Sequence, residues 1–165
     1  MSRRWVIRSF AFLDLCGFTA YMDDHGHDAA IEALVALRVA IRAAAEDHGV
    51  RIAKWLGDGS MLVGMEHEAV LDCVLAVQER LAPATGPPLR GGLSTGRVLL
   101  FEGDDHVGPA VNIAARLCAG AAPGQILVSD LSSREESDSA SSRSICVRGV
   151  SGSIPIRAFE SPARH

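Results

Sequence analysis

Two aspartates stand at the ends of apolar segments, where chemistry is easiest to place. Asp14 closes the apolar run from Trp5, and Asp58 sits in Gly57-Asp58-Gly59 between two further apolar segments. Taken singly, each has an ordinary structural use: Asp14 as a cap for the turn that follows, Asp58 as a hairpin residue. Taken together, at the mouths of strands that would neighbour one another, two half-buried carboxylates repel unless a proton or cation joins them. Mg²⁺ suits such a pair, because this hard ion takes one or two carboxylates plus phosphate oxygens. After Asp14 the chain turns through Gly17 toward Phe18 and Thr19 into a helix. Free N–H groups at a helix start bind anions, so this turn is a candidate seat for phosphates.

Two further pairs carry polar chemistry. Asn112 and Arg116 lie four apart in Val111-Asn112-Ile113-Ala114-Ala115-Arg116-Leu117, so they share one face of an otherwise apolar helix. Such a pair either projects into a cleft or forms a solvated stripe. In a cleft, Arg can stabilise a phosphoryl transition state and Asn can orient a sugar. Lys54 is the only lysine among 16 basic residues, and Asn112 is the only asparagine. Lys and Arg are not interchangeable where geometry matters. A Lys donor with an Asp acceptor at Asp105 could read N1 and the 6-amino group of adenine; guanine presents the reverse pattern. Spacing alone does not bring Lys54 and Asp105 together. His106 lies in a loop, where a histidine is more often incidental.

These residues need a scaffold. Residues 5–14 read as a core strand. Ile31, Leu34, Val35, Leu37, Arg38 and Ile41 give helical periodicity, with Asp28 as a possible N-cap and Gly49 as C-cap. Strands are expected over 50–56 and 60–65, joined at the Asp-Gly turn, then a helix over 66–81 and a loop over 83–88. A strand pair is expected over 89–95 and 97–101, a helix over 109–119 with Pro at its start, and a short strand over 125–129. Residues 132–144, rich in Ser, Asp, Glu and Arg, read as a surface loop, and 145–159 as a returning hairpin. The fold class is α+β: a ferredoxin-like βαββαβ sheet with helices on one face, plus an added helix and a C-terminal extension. One domain over 1–165 is expected.

The composition excludes several classes. A net charge of −4 gives no reason to expect nucleic acid as a partner. No apolar run approaches the roughly 20 residues of a membrane helix. The 4 cysteines have no CxxC spacing, which argues against a zinc site or disulfide framework and fits a reducing cytoplasm.

Three segments, in order, resemble the class III nucleotidyl cyclase catalytic domain. They are Phe12-Leu13-Asp14-Leu15-Cys16-Gly17-Phe18-Thr19, Lys54-Trp55-Leu56-Gly57-Asp58-Gly59, and Asp105-His106-Val107-Gly108-Pro109-Ala110-Val111-Asn112-Ile113-Ala114-Ala115-Arg116. The likeness runs from about residue 8 to 159. It implies an adenylate cyclase making 3′,5′-cyclic AMP and pyrophosphate from ATP with two divalent cations, Mg²⁺ or Mn²⁺. On this resemblance Asp14, Asp58 and the Leu15 carbonyl bind metal, Lys54 and Asp105 read adenine, and Asn112 and Arg116 serve catalysis. Arg148 falls where many members carry a phosphate-contacting Lys. The resemblance also implies a head-to-tail homodimer, one subunit giving Asp14 and Asp58 and the other the remaining residues. The segment 96–105 looks short, as in the class IIIc subgroup. The alternatives are a weak or GTP-using cyclase, or a nucleotide-binding dimerisation module without turnover.

Overall fold

The computed structural model describes residues 3–81, 86–102, 105–129, 141–146 and 153–161. In chain order the elements are β1 (Arg4–Leu15), α1 (Phe18–His25), α2 (His27–His48), β2 (Arg51–Leu56), β3 (Gly59–Gly64), α3 (His67–Leu81), β4 (Leu89–Phe101), β5 (Asp105–Val107), α4 (Pro109–Gly120), β6 (Gln125–Ser129), β7 (Ser141–Cys146) and β8 (Ser153–Glu160). The strands form one sheet in the order β2-β3-β1-β4-β6-β8-β7, with β5 paired to β4. Only the β4–β6 pairing is parallel among these strands; the rest run antiparallel.

Strand β1 shows why the sheet is covered on both sides. Its alternate residues point to opposite faces. Ala11, Leu13 and Leu15 face a core with Leu37, Ile41 and Ala44 of α2 and Val70, Val74 and Val77 of α3. Phe10 faces the other way, with Met61 and Val63 of β3, Val98 of β4, and Ala110 and Ala114 of α4. A strand buried on both faces reads as a near-continuous apolar run, as Phe10–Leu13 do, whereas Trp5 and Ile7 nearer the start of β1 are exposed. The βαββαβ unit thus keeps its two long helices on one face, and the added helix α4 covers part of the other. Gly92 lets α4 come down onto the sheet, because a Cβ there would meet the backbone of Ala114 and Cys118.

Four expectations change. Residues 89–101 are one strand, not two: β4 pairs with β1 from Leu89↔Leu15 to Leu100↔Arg4, and Gly96 sits in register with Arg8. The long apolar β1 supplies a continuous partner, which overrides the Gly as a breaker. The N-cap of α2 is Gly26, and Asp28 lies within the first turn. A separate short helix, α1, precedes it. Residues 141–144, expected in a loop, belong to β7; residues 132–140 lie outside the described residues. Gly49 caps α2 in the left-handed conformation, as expected.

Candidate active site

Asp14 lies on the α4 side of β1, two residues beyond Phe12. Its Cα partner on the adjacent strand is Gly59, which follows Asp58 in the hairpin. The Leu15 N–H donates to the Asp58 carbonyl at 3.2 Å, fixing the hairpin against the end of β1. Both aspartates line one open cavity of about 170 Å³, with Phe12, Ser60, Arg90, Ala115 and Cys118. The geometry therefore brings together the two acids that the sequence singled out.

Arg90, on β4 directly across from Asp14, was not singled out from the sequence. Its Nε donates to Asp14 Oδ1 at 2.9 Å and its Nη2 to Asp14 Oδ2 at 3.0 Å. Nη1 donates to the Ala119 carbonyl at 3.1 Å. These bonds to Asp14 hold the guanidinium pKa above its ordinary value, against the opposing effect of burial. The one signal was an Arg within an apolar segment; assigning it to Asp14 needed the strand register.

Two thiols, Cys16 and Cys118, adjoin this cluster, and a third, Cys73, lies apart in the core. Burial pushes Cys118 up to about 12, with nearby Asp14 adding to the rise. Burial likewise pushes Cys73, in the core under α3, up to about 11. Half-buried Cys16 is raised as well, first by burial. At pH 8 a thiol of pKa about 11 is only about one part in a thousand thiolate, the reactive form. Iodoacetamide mapped by mass spectrometry should therefore label Cys16 ahead of Cys73 and Cys118, which should react only in denaturant. Equal labelling of Cys118 in the native protein would contradict its burial.

A second cavity, of about 290 Å³, opens on the same face of the sheet. It is lined by Lys54, Asp105, Arg51, Met61, Phe101, His106 and Val111, among others. Lys54 Nζ stands 3.8 Å from Asp105 Oδ1, with both side chains more than half exposed. The pair that spacing could not join is thus joined by β5 folding back along β4. His106 packs edge-on against the Phe10 ring at 5.3 Å between centroids.

Helix α4 runs past both cavities. Val111 lines the Lys54–Asp105 cavity, whereas Ala115, Cys118 and Ala119 line the aspartate cavity. Asn112 and Arg116 are exposed on α4 and line neither. The two cavities share no lining residue, so one chain does not unite the acids with the Lys54–Asp105 pair. Gly17, at φ 64°, is the N-cap of α1, with Phe18 packed toward the main core and Thr19 exposed. None of these three lines the aspartate cavity. Arg148 lies outside the described residues.

Among the described residues, no three His, Cys, Asp or Glu side chains come together to hold a metal. The donor set is instead two carboxylates beside backbone oxygens, which fits a hard divalent ion that completes its shell with phosphate and water. A guanidinium seated on Asp14 shows that a cation is accommodated there. No helix among the described residues is long and apolar enough to cross a membrane.

No protein-family model matches the chain. An uncharacterized protein of Mycobacterium tuberculosis is 35% identical over 123 residues, covering 74% of this chain and 32% of that protein. A Mycobacterium tuberculosis protein named pH-sensitive adenylate cyclase is 35% identical over 124 residues, covering 73% of this chain and 30% of that one. The chain thus spans about a third of the length of these relatives. Among solved structures, an adenylate/guanylate cyclase/hydrolase from Silicibacter pomeroyi superposes with a TM-score of 0.81 at 24% identity, over 98% of this chain and 100% of that one. The adenylyl cyclase CyaB from P. aeruginosa gives 0.76 at 22%, over 98% of each chain. The catalytic core of a rhodopsin-guanylyl cyclase with converted specificity, in complex with ATPαS, gives 0.81 at 21%, over 98% and 99%. With this agreement in topology over nearly its whole length, the chain has the fold of the class III adenylyl and guanylyl cyclase catalytic domain.

Proposed function

We propose that this chain is an adenylate cyclase that converts ATP to 3′,5′-cyclic AMP and pyrophosphate at a site shared by two copies of itself, in the cytoplasm. The observation that carries this reading is the pair of separate cavities on one sheet face, one acidic at Asp14 and Asp58 and one bearing the Lys54–Asp105 pair. A head-to-tail dimer sets the acidic cavity of one copy against the Lys54–Asp105 cavity of the other, and its two-fold symmetry makes two complete sites.

In that arrangement Lys54 Nζ donates to adenine N1 and the Asp105 carboxylate accepts from the 6-amino group. Asn112 orients the ribose. Asp14, Asp58 and the Leu15 carbonyl would hold Mg²⁺ or Mn²⁺. Such ions supply charge neutralisation for the triphosphate and a lowered pKa for the 3′-hydroxyl. The 3′-oxygen attacks the α-phosphorus in line, the bond from that phosphorus to the α–β bridging oxygen breaks, and pyrophosphate leaves. Arg116 donates to the α-phosphoryl oxygens as charge builds. The backbone N–H groups of Gly17, Phe18 and Thr19 face the triphosphate, with Arg148 at its terminal end. Arg90, beside Asp14, would have the triphosphate as a second anion within its reach once cations occupied the aspartates. The 3′ proton passes to water or to a substrate phosphate.

Product analysis after incubation with ATP or GTP and each metal tests this directly. Cyclic AMP should form from ATP; no cyclic product from any nucleotide and metal combination would reject the reading. The base-reading pair has its own test. Lys54→Glu combined with Asp105→Gly should shift the ATP-to-GTP preference on the order of 10- to 100-fold, because unmatched polar groups reject the wrong base. An unchanged preference would mean that the base is read elsewhere.

A further inference from the structure

Strand β2 lies at one edge of the sheet among the described residues, yet it carries Lys54 and leads to Asp58. Its pairing with β3 is irregular. Ile52 is in register with Leu62, but Lys54 is in register with Met61, so Ala53 is an extra residue. This β-bulge decides which way Lys54 points. In a regular strand Lys54 would share the face of Ile52, which packs toward α2 and α3. With Ala53 inserted, Lys54 instead lies on the face of Met61, in the cavity with Asp105. A one-residue slip would return it to the wrong side.

The same bulge turns Trp55 toward α2, where it packs partly buried against the main core. There the Arg38 guanidinium carbon lies 4.7 Å from the ring centroid and that of Arg42 5.1 Å. Arg38 Nε is buried with no hydrogen-bond partner among the described residues, so that nitrogen contributes no bond of its own to placing the side chain. Cation–π attraction to the indole is a contact that does.

We propose that Trp55, clamped by Arg38 and Arg42, is a positioning residue for purine selectivity: it locks the Ala53 bulge and so aims Lys54 at the base. This rests on Lys54 and Asp105 reading the purine. Asp58 does not depend on the clamp, because its carbonyl is held by the Leu15 N–H and its neighbour Gly59 pairs with Asp14. Loss of the clamp therefore disturbs base reading and spares the metal-binding end of the hairpin.

The test uses the full chain with Trp55→Ala, Trp55→Phe and the double variant Arg38→Met/Arg42→Met. Two quantities are read: equilibrium dissociation constants for ATP and GTP, and amide hydrogen exchange across residues 51–64. Trp55→Ala should narrow the ATP-to-GTP affinity ratio by about tenfold, the scale of a lost desolvated cation–π contact. Exchange in β2 should accelerate while the β1–β3 pairing stays protected. Trp55→Phe, which keeps a ring for the guanidiniums, should restore most of both properties. The double Arg variant should reproduce the alanine result from the opposite side, and it decides the matter if Trp55→Ala fails to fold. Unchanged β2 exchange overturns the clamp. Faster exchange with an unchanged affinity ratio overturns its role in selectivity. Neither measurement requires turnover, so a wild-type chain that binds ATP without cyclising it would sink the proposed activity and not this inference.

Discussion

Replacing either Asp14 or Asp58 by alanine should abolish metal-dependent cyclisation, lowering turnover on the order of 10³-fold or more, while thermal melting shows a folded protein. The two substitutions differ in a useful way. Asp14→Ala removes a candidate metal ligand and also the partner of Arg90. Asp58→Ala leaves the Asp14–Arg90 pair intact and removes only a carboxylate at the hairpin tip. Equal loss in both variants assigns the effect to the cations. Loss in Asp14→Ala alone would assign it to the ion pair. Folding is expected to survive because both side chains are only half-buried and line an open cavity. Full turnover in either variant would remove the two-metal scheme.

Mixing inactive chains should restore activity if the site is shared. Asp14→Ala and Arg116→Ala homodimers each lack one part in both of their sites. In a heterodimer the lesions coincide at one site and leave the other whole. Random exchange of equal amounts makes half the dimers mixed, each with one good site of two, so about a quarter of wild-type activity should return. Differently tagged chains, captured together, establish that mixed dimers have formed. With those dimers present, silence in the assay would show that each chain must complete its own site. The separation of the two cavities within one chain is the reason to expect rescue.

Much of the scaffold was readable from residue patterns, for physical reasons. Ile126, Leu127 and Val128 are an apolar run buried on both faces, and Gly49 takes the left-handed turn that ends a helix. The Asp14–Asp58 association was also readable, because a strand end and a hairpin tip must meet when the first strand pairs with the third element's return. What was hidden depended on register. Arg90 is set across from Asp14 only by the β1–β4 pairing, which the sequence left divided at Gly96. Lys54 and Asp105 meet because of a bulge at Ala53 and the fold-back of β5, neither of which leaves a periodic trace. The position of α4 on the opposite face follows from Gly92, whose missing side chain looks like any other strand glycine until a helix is laid over it.

The seat of Arg90 on Asp14 has a consequence for how the protein meets ions. The guanidinium is an internal competitor, holding both carboxylate oxygens by parallel bonds. A monovalent ion offers no more charge than the arginine it would evict and replaces two charge-assisted hydrogen bonds. A divalent ion arriving with a polyphosphate offers twice the charge and a new anion to receive the evicted arginine. On the proposed function, the site would thereby be biased to load metal and nucleotide together over the far more abundant alkali ions around it.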